Sequence, residues 1–199
     1  MVERKVSACG ALWKDFDLID FSSVEFADSL AILDALGKVD CGVVGDVPLL
    51  FYPGCGCDVV FPLEYVSKLW PKVRMLSCVF VDVVNQQGMI ETVLDTLGIS
   101  FARDGNVLVF YFADILVRLR VIKGDVFSVM DSFFGYDIYF ERAFRIMKDG
   151  REGYEEKIVR ALNNEGVVIS DNGFLGFESV LSYVPVVSEL SVYGEMVFA

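Results

Sequence analysis

The chain has 199 residues, 54% of them hydrophobic and 23% charged, with a formal net charge of -12 and no histidine. That length predicts one sizeable core rather than two independent ones. The missing histidine excludes Ser-His-Asp and Cys-His nucleophilic systems, histidine general bases and histidine-ligated hydrolytic zinc, and the acidic balance argues against non-specific nucleic-acid binding because it repels phosphate backbones.

Residues 1–47 read as an N-terminal helical cap: Ser22 and Glu25 stand at capping-box spacing, and Phe26, Leu30, Leu33 and Leu36 follow at helical intervals before Gly37. Residues 48–199 read as one α/β unit packed with it. It begins with the apolar strand Pro48-Leu49-Leu50-Phe51-Tyr52-Pro53, which stops in Gly54-Cys55-Gly56-Cys57-Asp58. The two glycines permit backbone conformations and close approach that a Cβ would block, and the helix that follows offers unpaired N–H groups and a partial positive charge. That helix runs from Val59 to Trp70, with Pro62 tolerated in its first turn and Pro71 ending it.

A second strand spans Arg74 to Asp82, and a helix from Met89 to Leu97 is stopped by Gly98. Next comes a hairpin, Ile99 to Arg103 and Val107 to Phe112 around Asp104-Gly105, then a strand from Leu116 to Ile122 that alternates apolar and basic residues and ends at Lys123-Gly124-Asp125. A short helix from Val126 to Phe133 leads to the buried strand Tyr136 to Arg142. A helix from Tyr154 to Leu162 precedes an apolar strand, Gly166 to Ser170, that ends in Asp171-Asn172. A helix near Glu178 to Tyr183 and two short strands divided by Tyr193-Gly194 close the chain.

Strands alternating with helices predict an α/β fold with a doubly wound, mainly parallel sheet and crossover helices on both faces. Ligands of such sheets bind outside the carboxyl ends of the strands, where this chain places its polar residues. Charged residues such as Asp58, Asp82, Asp114 and Asp137 keep every apolar run short of the roughly 18 residues a membrane helix needs. The mean hydropathy of +0.50 therefore suggests apolar surface buried between copies of the chain, a homo-oligomer, rather than a membrane protein. Met1-Val2-Glu3-Arg4-Lys5 lacks the apolar core of an export signal, so a cytoplasmic location is expected. The five cysteines form an odd set without Cys-x-x-Cys spacing, which predicts reduced thiols and no metal site.

The order Gly54-Cys55-Gly56, Asp82, Gly124-Asp125, Glu141-Arg142 and a closing hairpin from Val186 to Ala199 resembles the class I S-adenosylmethionine-dependent methyltransferases. The resemblance covers residues 48–199 and lies in order and spacing more than in letters. Asp58 stands where the family has a third glycine, Asp82 comes late, and Phe51-Tyr52-Pro53 occupies the place of the acidic residue that opens the family's motif. The resemblance implies S-adenosylmethionine as a small-molecule cofactor held by Tyr52, Gly54, Cys55, Gly56, Asp58, Asp82, Gly124 and Asp125. Glu141 and Arg142 would be catalytic or would orient the acceptor, a small molecule or a protein. The alternative is a non-catalytic protein of the same fold whose cofactor site has decayed and whose surface serves self-association or partner binding.

Overall fold

The structure, a computed structural model, describes residues 14, 19–39, 41–42, 44–132, 135–170, 174, 177, 181–185 and 195–198. The first helix among the described residues, α1 (Val24–Ile32), runs on into a 3-10 turn at Leu33–Lys38. Its N-cap is Ser23, not Ser22: Ser23 Oγ accepts from Phe26 N–H at 3.1 Å, while the Ser22 side chain turns back to the Asp20 carboxylate. A hydroxyl in extended backbone one residue nearer the helix makes the better cap.

The remaining elements are β1 (Leu49–Pro53), α2 (Val60–Leu69), β2 (Met75–Asp82), α3 (Gln87–Thr96), β3 (Phe101–Asp104), β4 (Val107–Phe112), β5 (Ile115–Lys123), α4 (Val126–Val129), β6 (Tyr136–Glu141), α5 (Arg145–Lys148), α6 (Tyr154–Ala161), β7 (Leu162–Ser170), β8 (Ser182–Pro185) and β9 (Glu195–Phe198). Seven strands form one sheet in the order β3-β4-β5-β2-β1-β6-β7. Its five strands β5-β2-β1-β6-β7 are parallel, and the chain visits them as a doubly wound sheet does, reversing direction beside β1. The hairpin β3-β4 continues the sheet antiparallel beyond β5.

Side chains leave alternate faces of a strand, so the central strands feed two cores. Tyr52, Phe80 and Phe140 pack on one face with α1, α2 and α3; Phe51, Val79, Val81 and Tyr139 pack on the other with α4 and α6. Both faces of these strands are covered, which is why they read as continuous apolar runs. The hairpin end is covered on one face only: Leu108, Val117 and Leu119 are buried, while Arg118 and Arg120 are exposed.

Two expectations near the end of the chain are corrected. Ser182 and Tyr183, expected in a helix, lie in β8, because Pro185 disfavours helical backbone at Val184. The strand expected from Gly166 begins at Leu162, four residues earlier, and its register against β6 slips between Tyr136 and Ile138. The antiparallel pair β8-β9 forms its own two-stranded sheet, with β9 lying alongside β7; β8 precedes the hairpin expected from Val186 to Ala199, of which residues 195–198 are described. Asp171 and Asn172 lie outside the described residues. Among the described residues no helix is long and apolar enough to cross a membrane, and no group of three metal-ligating side chains occurs.

Candidate functional site

The turn after β1 is built as the sequence suggests, but its polar groups are used internally. Gly54 and Gly56 adopt left-handed backbone, φ +56 and +55, which strongly favours glycine. A Cβ on Gly54 would sit 2.7 Å from the Phe144 ring, and one on Gly56 would strike the Lys14 carbonyl and lie 2.6 Å from the Lys14 Cβ. The space beside each glycine is therefore filled by the protein's own atoms.

The same holds for the donors. Gly54 and Cys55 N–H donate to the Val81 carbonyl at 2.7 and 3.4 Å, Cys57 N–H to the Lys14 carbonyl at 3.0 Å, and Asp58 N–H to the Cys55 carbonyl at 3.1 Å. Gly56 N–H donates to Asp82 Oδ2 at 2.9 Å. All five amides of the turn have protein acceptors. Asp58 continues the pattern by capping α2, accepting from Phe61 N–H at 3.2 Å and from the Tyr52 hydroxyl at 3.0 Å. This occupant of the third glycine position thus has a structural role.

Burial raises the Asp58 carboxyl above its ordinary value of 3.8, against the pull of Arg142 and Lys14. The folded chain holds this proton to higher pH than the unfolded chain does. The group's contribution to stability should therefore fall as pH climbs from 3.8 through the raised value. Asp58→Asn should lack that fall relative to the wild type in urea midpoints measured across the acidic range.

Above the turn, outside the carboxyl ends of β1, β2 and β5, lies a cavity of about 290 Å³. Gly54, Gly56, Asp82, Gly124 and Asp125 line it, together with Lys14, Val83, Gln86, Val126, Phe127, Phe144 and Met147. Tyr52, Cys55 and Asp58 are buried beneath the turn and do not reach it. Burial also pushes the Cys55 thiol well up, the nearby Asp82 charge adding to the shift, so this cysteine stays a thiol.

Asp82 accepts from Gly56 N–H with one oxygen and from Val84 N–H at 3.0 Å with the other. A carboxylate has about four acceptor sites, so two remain for a ligand. Asp125 caps α4, accepting from Phe127 N–H at 3.2 Å and from the Ser128 hydroxyl at 3.4 Å. Lys14 Nζ, at the cavity wall, donates to the Gly54 carbonyl at 2.6 Å. Val83 and Met147 line the cavity with 66% and 59% of their surface exposed, so its mouth is apolar. The residues that sequence reasoning did not assign to the cavity include Lys14 and Met147. No local pattern marks Lys14, which reaches the turn across 40 positions of chain.

Glu141 and Arg142 part company. Glu141 is buried at 1% exposure and accepts from Lys148 Nζ at 2.5 Å, Ser170 Oγ at 2.6 Å and the Tyr139 hydroxyl at 2.8 Å. The Tyr139 oxygen lies 3.1 Å from that of Tyr154, and Lys148 also pairs with Glu155 at 2.9 Å. Arg142 turns to the other side of the sheet and stacks on the Phe61 ring at 3.8 Å. Neither lines the cavity. A larger groove, about 580 Å³, lies at the opposite end of the sheet between Gly42, Trp70 and Met75; ligands of doubly wound sheets do not bind at that end.

No protein-family model matches the chain, and no curated protein matches it. Among solved structures it is similar to MnmC2 from Aquifex aeolicus, with a TM-score of 0.44 and 13% identity over 84% of this chain and 56% of that one. It is also similar to the mitomycin 7-O-methyltransferase MmcR, with a TM-score of 0.42 and 15% identity over 82% of this chain and 40% of that one. The chain spans about half the length of these structures.

Proposed function

We propose that the cavity above β1, β2 and β5 binds S-adenosylmethionine by its adenosyl half, and that the chain is a methyltransferase acting on a small molecule or a protein. The observation that carries this reading is the pairing of the Asp82 carboxylate, which has acceptor sites to spare, with an apolar wall of Val83, Val126 and Phe127 in one cavity. Asp82 suits the ribose hydroxyls and the apolar wall suits a flat base. At about 290 Å³ the space is close to the lower bound of small-molecule sites, enough for a nucleoside. Two carboxylates, Asp82 and Asp125, face one ammonium, Lys14, so the lining favours a cation.

When bound, the sulfonium supplies an already activated methyl group. The chain's own part is then positioning: Asp82 and Asp125 fix the nucleoside, Phe144 and Met147 exclude water, and the apolar mouth at Val83 and Met147 admits an acceptor. Alignment of this kind can supply much of an acceleration without a general base. The reading with no cofactor has one observation in its favour, the five turn amides that all have protein acceptors.

Thermal shift with S-adenosylmethionine, S-adenosylhomocysteine and adenosine separates the two. Ligand at 100 times its dissociation constant adds roughly 2.7 kcal/mol, which raises the Tm of a chain this size by about 5–10 °C. Asp82→Ala should abolish the shift. No shift with any of the three at millimolar concentration would leave the non-catalytic reading.

A further inference from the structure

Arg142 takes no part in the cavity, yet its own surroundings are incomplete. Among the described residues, its Nη1 is the buried side-chain nitrogen or oxygen that has no hydrogen-bond partner, and no carboxylate pairs with the guanidinium. Asp58 is near enough for its carboxyl to feel the charge, but its oxygens are committed, Oδ1 to Phe61 N–H and Oδ2 to the Tyr52 hydroxyl. A guanidinium brings five N–H donors, and withholding partners from a half-buried one costs free energy. Folded proteins leave few such groups unsatisfied without a reason.

Position, shape and charge describe what would complete it. Arg142 follows directly on β6, beside β1, where the strand order reverses, and doubly wound sheets take ligands in the crevice at that point. Its guanidinium stacks on the Phe61 ring with Cζ 3.8 Å from the ring centre, so one face is closed and a ligand has to approach along the edge. The residue is half-buried, so the side chain still reaches the surface. Arg142 and Lys14 both act on Asp58. Two cations against one carboxylate leave a surplus that a single further negative charge balances.

We infer that Arg142 is the recognition residue of an anion site at the crevice between β1 and β6, and that it takes the carboxylate of a small molecule as a bidentate pair. The planar fork matches the two oxygens of a carboxylate lying in its plane. A phosphate dianion fits less well, because its second charge is repelled by Asp58. The inference does not rest on the adenosyl reading, since Arg142 is outside that cavity.

Titration of the full, nitrogen-15-labelled chain with acetate at constant ionic strength tests this at the Arg142 Nε–H resonance. The resonance should move and saturate with a dissociation constant of about 1–10 mM, an ordinary affinity for a ligand of about four heavy atoms. Inorganic phosphate, as its dianion, should bind more weakly. Arg142→Lys keeps the charge but loses the fork, and should weaken acetate about tenfold, read at the Ala143 amide. Arg142→Met still covers Phe61 but loses the charge, and should abolish binding. A shift that only grows linearly with acetate in the wild type, or a saturating one that survives in Arg142→Met, overturns the site. Acetate held equally well by Arg142→Lys, or phosphate held more tightly than acetate, overturns the carboxylate fork. The wild-type titration needs no variant, so it decides the matter even where a substitution unfolds the chain.

Discussion

Lys148→Met should lower the folding free energy by about 3–5 kcal/mol, because it leaves the Glu141 carboxylate buried without its cation. Glu141 is 1% exposed and the Lys148 side chain 4%. Ser170 and Tyr139 would still donate to the carboxylate, but neither neutralises it. The loss is a large share of the 5–15 kcal/mol that holds a typical domain. The double variant Glu141→Gln/Lys148→Met removes both charges, keeps an acceptor for one of the two hydroxyls and offers an N–H that the other can accept, so it should recover at least half of the deficit.

Urea unfolding of the wild type and the two variants reads this directly. A loss below about 1 kcal/mol in Lys148→Met would mean that the pair is solvated like an exposed one. Burial pulls the Lys148 ammonium down, but Glu141 and Glu155 more than offset it, leaving it above 10.5. Its contribution is therefore complete at neutral pH and fades only as pH rises through that higher value.

Gly54→Ala should destabilise the chain by about 2–5 kcal/mol, the sum of left-handed backbone for an L-residue and overpacking against a ring. Two Phe144 ring atoms would lie 2.7 and 2.8 Å from the new Cβ. The two parts can be separated with Phe144→Leu. In the double variant the collision is relieved but the φ of +56 remains, so the two losses should be less than additive by about 1 kcal/mol. Strict additivity would show that Phe144 yields freely and that backbone alone carries the effect. Because Phe144 also lines the cavity, Gly54→Ala should weaken adenosine binding in parallel.

The sheet was legible because each central strand is apolar on both faces and stops at glycine, aspartate or another polar residue. Gly98 at the end of α3 and the hairpin around Gly105 follow from short-range chemistry and are found as expected. What escaped the sequence acts over distance or through weak local signals. The polar run Asn163-Asn164-Glu165 at the start of β7 has no apolar alternation and falls in the irregularity between the Tyr136–Leu162 and Ile138–Val167 pairs with β6. The four-residue helix α5 leaves almost no periodicity, so the partnership of Lys148 with Glu141 could not be read. Lys14 is the clearest case: Gly56 was legible as a position needing space, but its filling by residue 14 was not.

The outermost strands of the main sheet bear on how such an apolar chain stays dispersed. β3 is only four residues long and mostly exposed, with Arg103 and Asp104 at its end. At the other side β7 opens irregularly, carries exposed Asn164 and Glu165, and has β9 alongside. Short, charged or irregular margins make poor templates for strand-by-strand growth between molecules. The two borders of this sheet therefore offer little regular backbone for edge-to-edge pairing, although the mean hydropathy is +0.50.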